Sequence, residues 1–137
     1  PDDRTIYYIY SPTRRVQAFA FDLEHGTLGP PRVAIRFAEA DGLPDGCTLD
    51  AEGHLWIAHW GAAKITRWDM GAGRLLHTIA LPVRRVTSCA FGGPQRNHLF
   101  ITTAMDEKST APEPEAGYIF RIDPGTTGPE LACFAGG

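Results

Sequence analysis

The chain repeats one structural unit three times, and this repeat constrains its fold more than any other feature. Each unit has an apolar quartet, a short turn and an alternating strand that usually ends in Asp. The quartets centre on Tyr8, Trp56 and Phe100, so their spacings are 56 − 8 = 48 and 100 − 56 = 44 residues. That period is typical of the four-stranded blades of a β-propeller.

Further strands complete each predicted unit. A strand precedes the second and third quartets, and Cys47 and Cys89 occupy equivalent places in it. The matching innermost strand of the first unit is missing, because the chain starts too late to contain it. The outermost strands are predicted at 32–37, 75–80 and 131–134. The sequence therefore predicts one all-β domain over 1–137, with blades at about 1–40, 41–82 and 83–137.

An eleven-stranded β-sandwich is the alternative architecture, since alternating strands with Gly-rich turns occur there too. The regular period favours the propeller, because a sandwich has no reason to repeat a four-strand unit. No stretch shows a sustained apolar period of 3.6 residues, so essentially no helix is predicted. The polar segment from Met105 to Glu115 is predicted to be a loop within the third blade.

Three blades do not close a ring, because propellers usually have four to eight. The two terminal blades are then expected to expose apolar faces that need a neighbour. The chain begins at Pro1 without a Met and enters a strand almost at once, as expected of a chain cut inside a larger fold. We expect either a missing N-terminal half or self-association of two copies into a six-bladed ring.

Composition excludes several classes of function. The 137 residues carry a net charge of −3, and Arg14-Arg15 and Arg84-Arg85 are isolated basic pairs, so we expect no nucleic-acid binding. No apolar run is long enough to span a bilayer, so we expect no membrane insertion. The three cysteines form no C-x-x-C motif and are predicted to be buried thiols, in keeping with a cytoplasmic location.

Several stretches resemble the SMP-30/gluconolactonase/regucalcin family of sugar-lactone lactonases, in order and at the family's spacing. The resemblance covers nearly the whole chain and implies the C-terminal half of a six-bladed propeller that hydrolyses aldonolactones. It also implies one divalent cation, with calcium, zinc, manganese and magnesium reported across members. The matching stretches are 7–16, 42–46, 51–58, 60–61, 81–83, 87–93 and 134–136.

The resemblance makes Asp45, in Pro44-Asp45-Gly46, the predicted metal ligand and catalytic residue. A hard cation prefers oxygen ligands, and it would polarise the lactone carbonyl while the carboxylate orients or deprotonates water. Taken alone, the same tripeptide is more typical of a plain turn. The family's other ligands, a Glu and Asn residues, lie upstream of this chain. We therefore expect the chain alone to bind metal weakly or not at all, since calcium takes 6–8 oxygen ligands.

Three more residues are predicted to contact a sugar lactone, each beside a structural alternative. Tyr10 stands where the family usually has Asp, and His59 directly precedes Trp60-Gly61. Thr87 and Ser88 align with Asp45 and Gly46 of the preceding blade. Strand-end or surface roles are the alternatives for His59 and Ser88. The three tryptophans are predicted to pack in the core or between blades, the alternative being a platform for a sugar.

Two rival functions remain open. One is a catalytically inactive half-propeller that acts through self-association or binding. The other is a different six-bladed enzyme, resembling strictosidine synthase or paraoxonase, which Pro44-Asp45-Gly46 and the Thr87–Gly93 stretch disfavour.

Overall fold

The computed structural model describes residues 3–106, 108, 111 and 113–130, and its regular structure is almost entirely β. Two single-turn 3-10 helices, Ser11–Thr13 and Glu39–Asp41, connect strands. The strands are β1 Thr5–Tyr10, β2 Arg15–Asp22, β3 Thr27–Leu28, β4 Arg32–Arg36, β5 Leu43–Leu49, β6 Leu55–Trp60, β7 Lys64–Asp69, β8 Arg74–Ala80, β9 Val86–Gly92, β10 His98–Thr103 and β11 Ile119–Ile122.

The strands form three antiparallel sheets in chain order, which we call blades one, two and three. Blade two has the order β5-β6-β7-β8, so β5 is its inner edge. In blade one, β2 pairs with β1, β3 and β4. Blade three has the order β11-β10-β9 among the described residues, and the strand predicted at 131–134 lies outside them. This is the predicted repeat of sheets, with the segment from Met105 to Glu115 lying between β10 and β11.

The blades pack face to face, and two apolar clusters fill the spaces between them. Between blades one and two lie Val16, Ile35, Phe37, Leu55, Ile57 and Met70. Between blades two and three lie Trp56, Ala58, Ile65, Val86, Cys89, Leu99 and Ile101. The alternation of strand residues explains this layering, since successive side chains leave opposite faces of a sheet. Leu55 and Ile57 thus reach one cluster and Trp56 and Ala58 the other.

The outer faces of blades one and three carry exposed apolar side chains. On β1, Ile6, Tyr8 and Tyr10 alternate with the half-buried Tyr7 and Ile9, and Tyr8 is 51% exposed. On blade three, Phe100 is 36% and Ile119 is 68% exposed. These are the two faces expected to need a neighbour.

Two glycines with a positive φ lie in turns of blade two. Gly53 has a φ of +81° in the turn between β5 and β6, and Gly73 a φ of +62° in the turn between β7 and β8. These conformations suit glycine because it has no Cβ. No helix in the described part of the chain is long and apolar enough to cross a membrane.

Candidate active site

Asp45 lies within β5, the inner edge strand of blade two. Pro44-Asp45-Gly46 is therefore strand and not a turn, and the pairing with β6 shifts register between Pro44 and Cys47. Proline is tolerated there because edge strands and bulges leave its missing N–H without a required partner. The turn interpretation of this tripeptide is wrong.

Gly46 brings the inner strands of blades two and three into contact. A Cβ at Gly46 would lie 2.2 Å from the Ser88 Oγ and 2.7 Å from the Ser88 Cα, so a larger residue cannot fit without a shift. Glycine is required here for close approach of two backbones and not for a positive φ. Ser88 and Gly46 occupy equivalent places in the repeat, and here they bring β9 and β5 into direct contact.

The Asp45 carboxyl group is half-buried and has no cationic partner. None of the ion pairs among the described residues includes it. Burial raises the pKa of Asp45 above the usual range, and the backbone N–H of Gly46 opposes this effect. A carboxylate left without a counter-charge at a strand edge is a feature of functional sites, because a structural carboxylate is normally paired.

His59 is fully buried and lies on β6, where it pairs with Pro44 at the start of β5. Its Nδ1 is 2.8 Å from the Asp41 carbonyl oxygen and its Nε2 is 2.7 Å from the Thr66 Oγ1. A carbonyl only accepts, so Nδ1 carries the proton and Nε2 accepts from the Thr66 hydroxyl. Burial lowers the pKa of His59, which keeps the ring neutral. Contact with a ligand stays a prediction for this residue, and both ring nitrogens already have protein partners.

Further contacts hold the segment that leads into β5. The Arg14 guanidinium of blade one donates to the Gly42 carbonyl at 2.6 Å, and the Lys64 Nζ is 2.8 Å from the Asp41 carboxylate. That ion pair lowers the pKa of Asp41. Asp45 thus follows a segment tied to blade one and to β7 of its own blade, which restricts its position.

Tyr10 and Thr87 lie at the same end of the blades as Asp45. Tyr10 ends β1 and is 49% exposed, and Thr87 Oγ1 shares a 2.7 Å hydrogen bond with Thr102 Oγ1. The predicted substrate contacts of Tyr10 and Ser88 therefore stay predictions. Of the tryptophans, Trp56 lies in the core as predicted.

A polar cavity escaped the sequence-based prediction. It has a volume of about 340 Å³ and lies beside Trp60, Arg84, Arg85, Asp106 and Glu113. The signal for it was the Arg84-Arg85 pair directly before an inner strand, followed by an acidic loop.

No group of three or more His, Cys, Asp or Glu side chains that could hold a metal ion occurs in the described part of the chain. Cys47 and Cys89 are free thiols, and burial raises the pKa of Cys89 to about 12, so its thiol stays protonated. Cys133 lies outside the described residues. Within the described residues, Asp45 supplies a single carboxylate, which does not complete a cation site.

Comparison with known proteins supports the resemblance. The family described as the SMP-30/Gluconolactonase/LRE-like region matches residues 1–105. Regucalcin of Danio rerio is 40% identical over 124 residues, which cover 88% of this chain and 42% of that protein. The chain thus spans less than half the length of the curated relatives that it matches.

Solved structures agree with the fold of three propeller-type blades. The crystal structure of a calcium-binding protein, regucalcin, from Agrobacterium tumefaciens has a TM-score of 0.84 and 29% identity, covering 93% of this chain and 44% of that one. A gluconolactonase from Xanthomonas campestris has a TM-score of 0.63 and 32% identity, covering 74% of this chain and 32% of that one. The chain therefore belongs to the SMP-30/gluconolactonase family.

Proposed function

We propose that this chain forms part of a propeller that hydrolyses sugar lactones, with Asp45 as the residue that orients and deprotonates the attacking water. The observation that carries the proposal is the state of Asp45, a half-buried carboxyl group on an inner strand with no cationic partner and a raised pKa. A raised pKa makes a carboxylate a better general base, because catalysis improves as the pKa approaches the working pH.

The proposed step is a simple acyl transfer to water. The Asp45 carboxylate takes a proton from water while the water oxygen attacks the lactone carbonyl carbon. The ring C–O bond then breaks, the departing oxygen takes up the proton held by Asp45, and the released acid loses a proton to solvent to become an aldonate. Ser88 and Tyr10 are the proposed hydrogen-bonding contacts to the hydroxyl groups of the substrate, and their hydroxyl groups both donate and accept.

For the divalent cation implied by the family, we propose that Asp45 is the ligand contributed by this chain. The cation, whether calcium, zinc, manganese or magnesium, then needs oxygen ligands from residues outside the chain. The proton transfer assigned to Asp45 is argued from its burial and from the absence of a cationic partner among the described residues.

A second candidate function has its own support. The exposed apolar side chains on the outer faces of blades one and three favour association through these faces. We propose that the remainder of a six-bladed ring or a second copy covers them. A half-propeller that only assembles or binds, without catalysis, is the alternative function.

One experiment separates the two candidates. The purified chain is sized by light scattering, and its hydrolysis of glucono-1,5-lactone is followed by proton release with EDTA or with each of the four cations. The spontaneous reaction is subtracted, because such lactones open unaided. We expect hydrolysis, with Asp45→Asn lowering the rate by roughly 10²–10⁴-fold, as for loss of a general base.

The matched control is Asp3→Asn, which makes the same chemical change at an exposed position. It should leave hydrolysis unchanged. Hydrolysis that is absent with every cation, or that survives Asp45→Asn, rejects the catalytic proposal and leaves the binding function.

A further inference from the structure

The cavity beside Trp60 lies at the same end of the blades as Asp45. Leu43, at the start of β5, pairs with Trp60, and Trp60 forms a β-bridge with Arg85 just before β9. Since Gly46 contacts Ser88, the cavity adjoins the entries of both inner strands. Residues of blades two and three line it together. Its volume of about 340 Å³ lies at the lower end of the range for small-molecule sites.

The backbone that lines this cavity is held rigidly. The Arg84 carbonyl accepts hydrogen bonds from the backbone N–H groups of Gly61 at 2.8 Å and Ala63 at 3.3 Å. The Arg85 carbonyl accepts from the backbone N–H of Ala104 at 2.9 Å. The side chains at both positions therefore project from a preorganised segment, which lowers the entropic cost of binding.

The two arginines of this segment differ in their partners. The Arg85 guanidinium pairs with the Asp106 carboxylate, donates to the Met105 carbonyl at 3.3 Å and lies over the Trp60 ring at 4.9 Å. The Arg84 side chain is exposed and makes no ion pair or hydrogen bond within the described residues. Arg85 thus builds the wall, whereas the Arg84 guanidinium is left for a ligand.

Carboxylates complete the lining. Glu113 accepts from the Arg84 backbone N–H at 3.1 and 3.3 Å, which places its oxygen atoms beside the cavity. Carboxylate oxygens accept hydrogen bonds from hydroxyl groups, and a guanidinium binds a carboxylate through two parallel N–H donors. An open guanidinium beside fixed acceptors and an aromatic ring suits a small molecule that carries one acid group and several hydroxyl groups.

We propose that this cavity is a binding site for the open-chain sugar acid, with Arg84 binding the acid group and Glu113 accepting from hydroxyl groups. The choice of ligand rests on the proposed function, because lactone hydrolysis produces such an aldonate. The site then retains product at the same end of the blades as Asp45.

The test is titration of the chain with D-gluconate, followed by NMR chemical shifts and calorimetry. Sorbitol and acetate are the comparison ligands, since the first lacks the acid group and the second lacks the hydroxyl groups. We expect gluconate to bind at least tenfold more tightly than either. Arg84→Gln should weaken gluconate binding at least tenfold, and Arg84→Lys, which keeps the charge, should weaken it less.

The matched control is Arg74→Gln, which removes an exposed arginine at the opposite end of blade two and should change nothing. Equal affinity for gluconate and sorbitol, unaltered binding in Arg84→Gln, or no gluconate binding overturns the proposal. Asp45→Asn separates this proposal from the catalytic one. It should lower hydrolysis by roughly 10²–10⁴-fold while gluconate still binds. A chain that binds gluconate through Arg84 without hydrolysing lactones contradicts the catalytic proposal alone.

Discussion

Two aspartates five residues apart, Asp50 and Asp45, have opposite surroundings. Asp50 follows β5 and is fully buried. Its Oδ1 accepts from the backbone N–H groups of Glu52 at 3.0 Å and His54 at 2.9 Å. Its Oδ2 accepts from the Trp56 Nε1 at 2.9 Å and the Arg67 Nε at 2.7 Å. Asp45, at the other end of the same strand, has only the Gly46 backbone N–H to oppose its burial.

This difference separates a carboxylate that stabilises the fold from one that remains free to react. Asp50 joins a turn, a core tryptophan and a strand on the far side of β6, and Arg67 also lies over the Trp56 ring at 5.7 Å. Every lone-pair direction of Asp50 is thus occupied, which is how a buried carboxylate is tolerated. Asp45 lacks such partners among the residues that the structure describes, so its burial is a cost that a purely structural role does not explain.

Asp50→Asn is expected to have the largest effect on the free energy of unfolding. The change leaves the Arg67 guanidinium, whose side chain is 18% exposed, without its buried counter-charge. It also turns an amide N–H₂ toward donors. Removing one partner of a buried pair typically costs 3–5 kcal/mol, so the free energy of unfolding should fall by about 3 kcal/mol. Denaturant unfolding at pH 7 measures it.

Glu52→Gln provides the matched control for this prediction. Glu52 is also 2.9 Å from the Arg67 guanidinium, but its side chain is 58% exposed, so its loss should matter much less. If the two variants lose equal stability, Asp50 does not hold the cluster and the contrast with Asp45 fails.

The blade repeat was predictable because the period of the four-stranded unit is visible in the spacing of the apolar quartets. The quartets around Tyr8, Trp56 and Phe100 all became strands. The assignment of Asp45 to a site came from the family resemblance and stays a prediction. The environment of Asp50 was not predictable. An Asp before Ala51-Glu52-Gly53 indicates only a turn, since the contact with Arg67 depends on the pairing of β6 with β7.

Gly46 shows why part of the site escaped prediction. A glycine needed for a positive φ and one needed for close approach look identical in a sequence, and Pro44-Asp45-Gly46 fits a turn by composition. The structure shows that Gly46 is needed for close approach, because Ser88 lies against it. Ser88 is 42 residues away in the sequence and contacts Gly46 only because two blades pack together. The cavity beside Trp60 likewise combines loops from two blades.

His59→Asn is expected to have a smaller effect on stability. It tests how the structure is held at the end of blade two where Asp45 lies. Asparagine keeps a short polar side chain but cannot reach both the Asp41 carbonyl and the Thr66 hydroxyl. The Thr66 Oγ1 also accepts from the Trp68 Nε1 at 2.8 Å, so one change disturbs a chain of three groups. A buried group left unpaired costs 1–3 kcal/mol, and we expect a loss of about 2 kcal/mol in denaturant unfolding.

The pH dependence of this variant gives a second readout. Because the folded pKa of His59 is lowered, the unfolded chain binds more protons, and the stability from neutral His59 is lost as pH falls below about 6.5. His59→Asn should lose that decline, whereas His77→Asn, at an exposed position, should retain it. An unchanged profile in His59→Asn means that another group controls acid sensitivity.

The smallest expected effect on stability is that of Asp45→Asn. This variant tests most directly whether Asp45 differs from Asp50 in its role. Because the folded pKa of Asp45 is raised, the folded chain binds its proton more tightly than the unfolded chain does. Its contribution to stability is then present below about pH 3.9, the ordinary aspartate value, and is lost as pH rises through the folded pKa. An uncharged asparagine escapes this loss, so the variant should equal or exceed the parent chain in stability at pH 7 and lose that advantage at pH 3. Paired urea titrations at the two pH values measure the change. A destabilised variant at pH 7 would show that Asp45, like Asp50, serves the fold.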